Sequence, residues 1–274
     1  MSEAVIKEGS IARKPGAFEK RIHEIDFVRG FLMVLVLMDH LFWCLKAYNF
    51  DWWIASGCKI QFYRDMYKIF DFYWTNHGRE VVRFIALFGF CFVSGVSSAF
   101  SRNNWIRAAQ MIGVFGVIAV GSNLLDASGL MGDQIVRIDF NVIGVLAWST
   151  LAYCFTQNKT WRSILVGFLL TFLMCWYVVP WLMKTPMGKA YAPALWEPVN
   201  QADWMPLFPF MCIFFMGALF SYFVYAPTKQ SIIKVRGNWE RPICFIGRHS
   251  LIFYLGHQFI FIPIFMLINY FIMK

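Results

Sequence analysis

The sequence predicts an all-α, polytopic integral membrane helix bundle of about seven transmembrane helices, with one amphipathic helix lying in the membrane interface. Three observations predict it. Hydrophobic residues fill 59% of the 274 positions and charged residues only 15%, where a soluble domain carries about 25% charged residues. Seven apolar runs, near 27–45, 82–100, 106–125, 140–156, 163–183, 206–225 and 243–272, each approach or exceed the ~20 residues that cross a hydrocarbon core. Aromatic residues reach 19% and the mean hydropathy is +0.53, which suits a chain with two water–membrane boundaries. The same figures exclude intrinsic disorder, a coiled coil and collagen.

The elements follow in order. Residues 1–25 are polar and mixed in charge, and read as a cytoplasmic N-terminal extension to a single membrane domain, 26–274. A signal peptide is not expected, because the first apolar run starts only at Phe27 and no small-residue cleavage site follows it. The runs must be helices, since lipid offers the backbone no hydrogen-bond partner. Between the first two runs, Ile60, Tyr63, Tyr67, Phe70 and Trp74 recur at helical spacing, with Arg64, Asp65, Lys68 and Asp71 between them. That stripe predicts the interfacial helix. The segment 184–205, with Pro186, Pro193 and Pro198, reads as an irregular loop on the same side. The last run is long enough to change direction near Gly247, and Pro263 should kink it.

Lys and Arg in the short connections orient the bundle. Arg102, Arg107, Lys159, Arg162, Lys229, Lys234, Arg236 and Arg241 fall on the side of the N-terminus. This puts the N-terminus in the cytoplasm and, for an odd number of spans, the C-terminus outside. The net charge of +9 is spread between apolar runs rather than gathered with aromatics on one surface. It points to anionic lipid headgroups and an anionic substrate, not to nucleic acid. The seven Cys form no CxxC and mostly lie in apolar runs. They read as small hydrophobes rather than disulfide or metal ligands, and no metal site is expected.

Ionisable side chains inside spans are costly and each calls for a task. The first span holds Asp26, Arg29, Asp39 and His40. Asp26, Met33 and His40 are seven apart and share a face, with Arg29 on the same stripe. His40 then lies ~21 Å along the helix from Asp26. Asp26 is placed to cap the helix start, and Asp203 to cap the sixth span. His257, with Gln258 beside it, sits ~15 Å beyond Gly247 in the last span. Two intramembrane His on different spans suggest a shared polar cavity. His77, next to Gly78 and Arg79, falls at the outer interface. Nucleophile-elbow, P-loop, dinucleotide and zinc-protease motifs are missing from the sequence.

Four stretches carry a family likeness. Glu24-Ile25-Asp26-Phe27-Val28-Arg29-Gly30, followed by Met38-Asp39-His40, resembles the opening motif of the heparan-α-glucosaminide N-acetyltransferase catalytic-domain family. Leu87 to Ser97 is similar to its glycine- and serine-bearing second span. Asp203-Trp204-Met205-Pro206-Leu207-Phe208-Pro209 is similar to its Asp/Pro segment, with Trp204 in place of Tyr. Gly247-Arg248-His249-Ser250-Leu251 with Tyr254-Leu255-Gly256-His257-Gln258 resembles its closing motif. Together they run in order from Glu24 to Gln258.

The resemblance implies a transmembrane acyltransferase of the short bacterial type, in the plasma membrane. Such an enzyme takes an acyl group, here expected to be acetyl, from acyl-CoA and delivers it to a sugar or other hydroxyl or amine acceptor across the membrane. Its partners would be acyl-CoA, a glycan or lipid-linked acceptor and membrane lipids. A homo-oligomer is compatible with this, and no permanently bound cofactor is expected. In the short members the shared His is in the first span, here His40. In the lysosomal member an important His precedes the second span, where this chain has His77. Acyl transfer from a thioester needs a base or nucleophile and a group that steadies the oxyanion. The expectation is His40 as base, oriented by Asp39 or by a neighbouring span, with His257 as second polar partner. Asp26 and Arg29 would organise the inner entrance, and Arg102, Arg107, Arg236, Arg241 and Arg248 would meet the coenzyme A phosphates. A proton-coupled transporter or lipid-binding membrane subunit is the competing reading, since intramembrane His and Asp serve proton coupling equally well.

Overall fold

The structure, a computed structural model, describes residues 22–46, 61–101, 103–129, 137–156, 160–190, 203–225, 231–232 and 238–272. Most of the N-terminal extension lies outside these residues. The described chain is all helical, without strands. In order it forms α1 (His23–Cys44), α2 (Gln61–Thr75), α3 (Gly78–Ser98), α4 (Asn104–Ala127), α5 (Val142–Cys154), α6 (Trp161–Leu182), a short α7 (Pro186–Ala190), α8 (Phe210–Val224), α9 (Glu240–Arg248) and α10 (Ser250–Ile272).

Five helices, α1, α3, α4, α6 and α10, are long and apolar enough to cross a membrane. Of these, α6 and α10 sit where the sequence places the fifth and last apolar runs. The remaining two runs form the shorter apolar helices α5 and α8, so among the described residues five long helices and two short ones stand where the seven apolar runs lie. α8 has 15 residues, ~22 Å at ~1.5 Å each, and falls short of a ~30 Å core. The reason is local. Pro206 and Pro209 cannot donate to a helical ladder, so the chain enters as non-helical backbone over 203–209. Such backbone is tolerated at membrane depth when protein covers it. Here Met205 and Phe208 are buried, the Met205 N–H donates to the Phe140 carbonyl at 3.2 Å, and Arg83 donates to the Trp204 carbonyl at 2.6 Å. α5 is started by Asn141, whose side chain accepts from the Gly144 N–H.

α8 is the hub. It packs on α3, α5 and α6, and Phe214, Phe215 and Ala218 are fully enclosed among Tyr153, Ile164, Cys175 and Met211. Two glycine crossings bring backbones together. A Cβ on Gly95 of α3 would fall 1.9 Å from the Phe214 carbonyl oxygen, and one on Gly217 of α8 2.1 Å from that of Phe92. At the second crossing, Gly30 of α1 faces the Ile243 carbonyl and Gly247 of α9 faces that of Asp26, each at 1.9 Å from a would-be Cβ. The helix is interrupted close to Gly247, at His249 between α9 and α10.

The outer faces are apolar. Val117, Val120 and Leu124 of α4 and Phe259, Ile260 and Phe271 of α10 are all exposed, as a lipid-facing surface requires. α2 carries part of the expected stripe, at Tyr67 and Phe70; Ile60 lies outside the described residues. Phe70, Met66 and Tyr67 pack on Phe42, Leu45 and Ile268, while Phe62, Ile69 and Phe72 stay exposed on another face. Six Cys are free and buried; Cys58 lies outside the described residues.

Candidate active site

The glycine crossing between α1 and α9 sets the register of the site. From Gly30 to His40, and from Gly247 to His257, each chain runs ten residues, ~15 Å of helix. The two imidazoles therefore meet. Their ring centroids are 4.6 Å apart with the planes at 60°. The Gln258 side-chain amide nitrogen lies 3.0 Å from His40 Nδ1. His257 Nδ1 lies 2.7 Å from the Tyr254 carbonyl oxygen and 3.2 Å from that of Phe253. His257 is 5% exposed, and its Nε2 is buried with no hydrogen-bond partner among the described residues.

Charged groups surround the pair. Tyr254 donates its hydroxyl to Asp203 at 2.7 Å, so Asp203 ties the 203–209 segment to α10. It does not cap α8, whose N-cap position is Pro209. Asp39 does not orient His40 either. Its carboxylate accepts from the Tyr73 hydroxyl at 2.8 Å and from Arg79 Nε at 3.3 Å. Burial and the Asp39 carboxylate together push the Tyr73 hydroxyl up, so it remains a donor. The Arg79 guanidinium lies 3.6 Å from the Trp74 ring centroid, a cation–π contact that fastens α2 to α3. His77 stands apart. Its side chain is 92% exposed and lies 2.9 Å from Glu80.

The other end of α1 is basic. Arg107 of α4 donates to Ser98 Oγ at 3.1 Å and Ser94 Oγ at 2.9 Å, and Arg29 of α1 donates to Ser97 Oγ. The Ser97 and Ser98 hydroxyls donate in turn to the carbonyls of Val93 and Ser94. Spacing of three and four residues puts the three serines on one patch of α3, and two guanidiniums converge there. Asp26 does not pair with Arg29 and does not cap α1, whose N-cap Ile22 has no side-chain bond. It pairs with Arg248 at 3.1 Å. Glu24 accepts from the Ser231 hydroxyl and the Ile232 N–H, and His23 lies 2.6 Å from Glu240. Arg241 is exposed on α9, and Arg102 and Arg236 lie outside the described residues.

The structure thus brings His40 and His257 together, and Arg29 and Arg107 together, with Arg248 and Asp26 as a neighbouring pair. It commits the Asp39 carboxylate to Tyr73 and Arg79 and leaves His77 exposed beside Glu80. Tyr73, Arg83 and Ser98 were not singled out by sequence; Arg79, Ser94, Ser97 and Tyr254 were named there only as neighbours or motif members, without a role. Among the described residues, no group of three or more His, Cys, Asp or Glu is placed to hold a metal ion.

A family model described as "Heparan-alpha-glucosaminide N-acetyltransferase, catalytic" matches residues 21–259. Comparison with curated proteins and with solved structures gave no match.

Proposed function

This chain belongs to the heparan-alpha-glucosaminide N-acetyltransferase catalytic family, and on that premise we propose that it is an integral membrane acyltransferase that moves an acetyl group from acetyl-CoA to a hydroxyl or amine of a sugar acceptor. The observation that carries this reading is the His40–His257 contact inside the bundle, joined along α1 to a patch of converging arginines. Arg29 and His40 are eleven residues apart, ~16 Å of helix. An extended pantetheine arm reaches across such a gap, with phosphates at the arginines and the thioester at the imidazoles.

Each end has the chemistry its share of the reaction needs. Guanidiniums bind phosphate through forked donors, and Arg107 is seated on the serine hydroxyls of Ser94 and Ser98. An imidazole takes a proton from the acceptor as it attacks the thioester carbonyl, and returns it to the departing thiolate. The arginine end faces the cytoplasm, where the donor is available, and the histidine end faces the acceptor on the other side of the plasma membrane.

The test uses purified full-length protein in detergent with acetyl-CoA labelled in the acetyl group and glucosamine as acceptor. Release of free thiol and appearance of label in the amine support the reading. Acetyl-CoA left intact by a monodisperse sample refutes it.

A further inference from the structure

We infer that His257 Nε2 is the atom that takes the acceptor's proton, and that His40 is fixed by Gln258 as a neighbour that only donates a hydrogen bond. The inference rests on the acyltransferase reading and assigns roles within its site.

The argument is one of donors and acceptors. A backbone carbonyl only accepts, so His257 Nδ1, 2.7 Å from the Tyr254 oxygen, carries a hydrogen. In the neutral ring the single lone pair is then on Nε2. That nitrogen is buried and bare. A bare acceptor in a buried position is a cost to the fold, and such exceptions call for a role. His40 is in the opposite state. The Gln258 amide nitrogen only donates, so His40 Nδ1, 3.0 Å away, is the acceptor and its lone pair is already engaged. Its hydrogen is on Nε2. To act as base, His40 would have to release Gln258; His257 has nothing to release.

The step balances. The acceptor hydroxyl or amine loses its proton to His257 Nε2 as its oxygen or nitrogen bonds to the thioester carbon. The carbon–sulfur bond breaks, and the departing thiolate takes the proton back from the His257 imidazolium. The second histidine presents an N–H and remains neutral throughout. The carboxylates near the pair, Asp203 on Tyr254 and Asp39 on Arg79, are already engaged with partners and take no proton in the step.

The experiment reads the lone pairs directly. Diethyl pyrocarbonate acylates unprotonated imidazole nitrogen, and mass spectrometry locates the adducts. In the wild-type protein in detergent, exposed His77 labels first and serves as control, then His257, with His40 protected. Gln258→Leu should expose His40 to labelling. Labelling of His40 ahead of His257, or of neither, overturns the assignment, because a base that the acceptor reaches is also reached by a small electrophile. In turnover of acetyl-CoA, His257→Ala should lower kcat by ~10²–10⁴-fold with little change in KM for the donor, and His40→Ala should lower it less. The reverse order overturns the assignment too. A protein that labels at His257 but leaves acetyl-CoA intact supports the nitrogen assignment and refutes the acyltransferase reading instead.

Discussion

Replacing Gly247 by alanine should unseat α9 from α1 and disturb a site ten residues away. The added Cβ would fall 1.9 Å from the Asp26 carbonyl oxygen and 2.8 Å from the Gly30 nitrogen, where ordinary contact begins at 3.4 Å. Both obstacles are backbone, so no rotamer change relieves them. The helices must part by roughly 1.5 Å, which carries Arg248 away from Asp26, now at 3.1 Å. Overpacking of this kind costs ~1–3 kcal/mol, and the upper end is expected because the ion pair, partly buried on both sides, loosens with it. α10 follows α9 after a single residue, so His257 and Gln258 shift relative to His40. Thermal unfolding in detergent, followed by size-exclusion, should show a clear fall in Tm for Gly247→Ala, and acetyl-CoA turnover should fall more than protein recovery does. Gly30→Ala strikes the same crossing through the Ile243 carbonyl, so the double variant should be less destabilised than the sum of the singles. A Gly247→Ala protein that melts with the wild type, or a strictly additive cycle, refutes the packing argument.

Three further outcomes follow from the same geometry. Arg107→Leu should raise KM for acetyl-CoA more than it lowers kcat, because it removes phosphate contact and leaves the imidazoles in place; an unchanged KM in steady-state kinetics contradicts this. His77→Ala should keep most of its activity, since its side chain is 92% exposed and its contact with Glu80 is a solvated one; loss of turnover would move the chemistry to the interface. Asp39→Asn should leave Arg79 without its carboxylate and weaken the Tyr73 bond, loosening α2 by ~1–3 kcal/mol, which faster amide exchange over 61–75 would register and unchanged exchange would refute.

Most of the scaffold was legible because membrane spans are nearly a one-dimensional problem. Run length and the need to satisfy the backbone in lipid give helices directly, and α1, α3, α4, α6 and α10 follow the apolar runs. The start of α8 was also written in the chain, in Pro206 and Pro209, but hydropathy alone blurs such a break. The close backbone approaches come from the structure, as Gly30 against Ile243 and Gly95 against Phe214. The site divides the same way. That two intramembrane histidines would lie near each other could be read from their depth, and their rings are in contact. That Asp39 bonds Tyr73, that Asp203 bonds Tyr254, and that Arg107 seats on serines of α3 could not, because each pairing joins residues on different helices. Local rules assigned Asp26 and Asp203 to capping, and tertiary partners won in both cases.

The two-ended account is tested most directly by electron cryomicroscopy of the full-length protein with a non-hydrolysable thioether analogue of acetyl-CoA. It predicts the phosphates against Arg29 and Arg107 and the acyl carbon beside His40 and His257. Phosphates seated at Arg79 and Arg83, or an acyl group remote from both imidazoles, would contradict it.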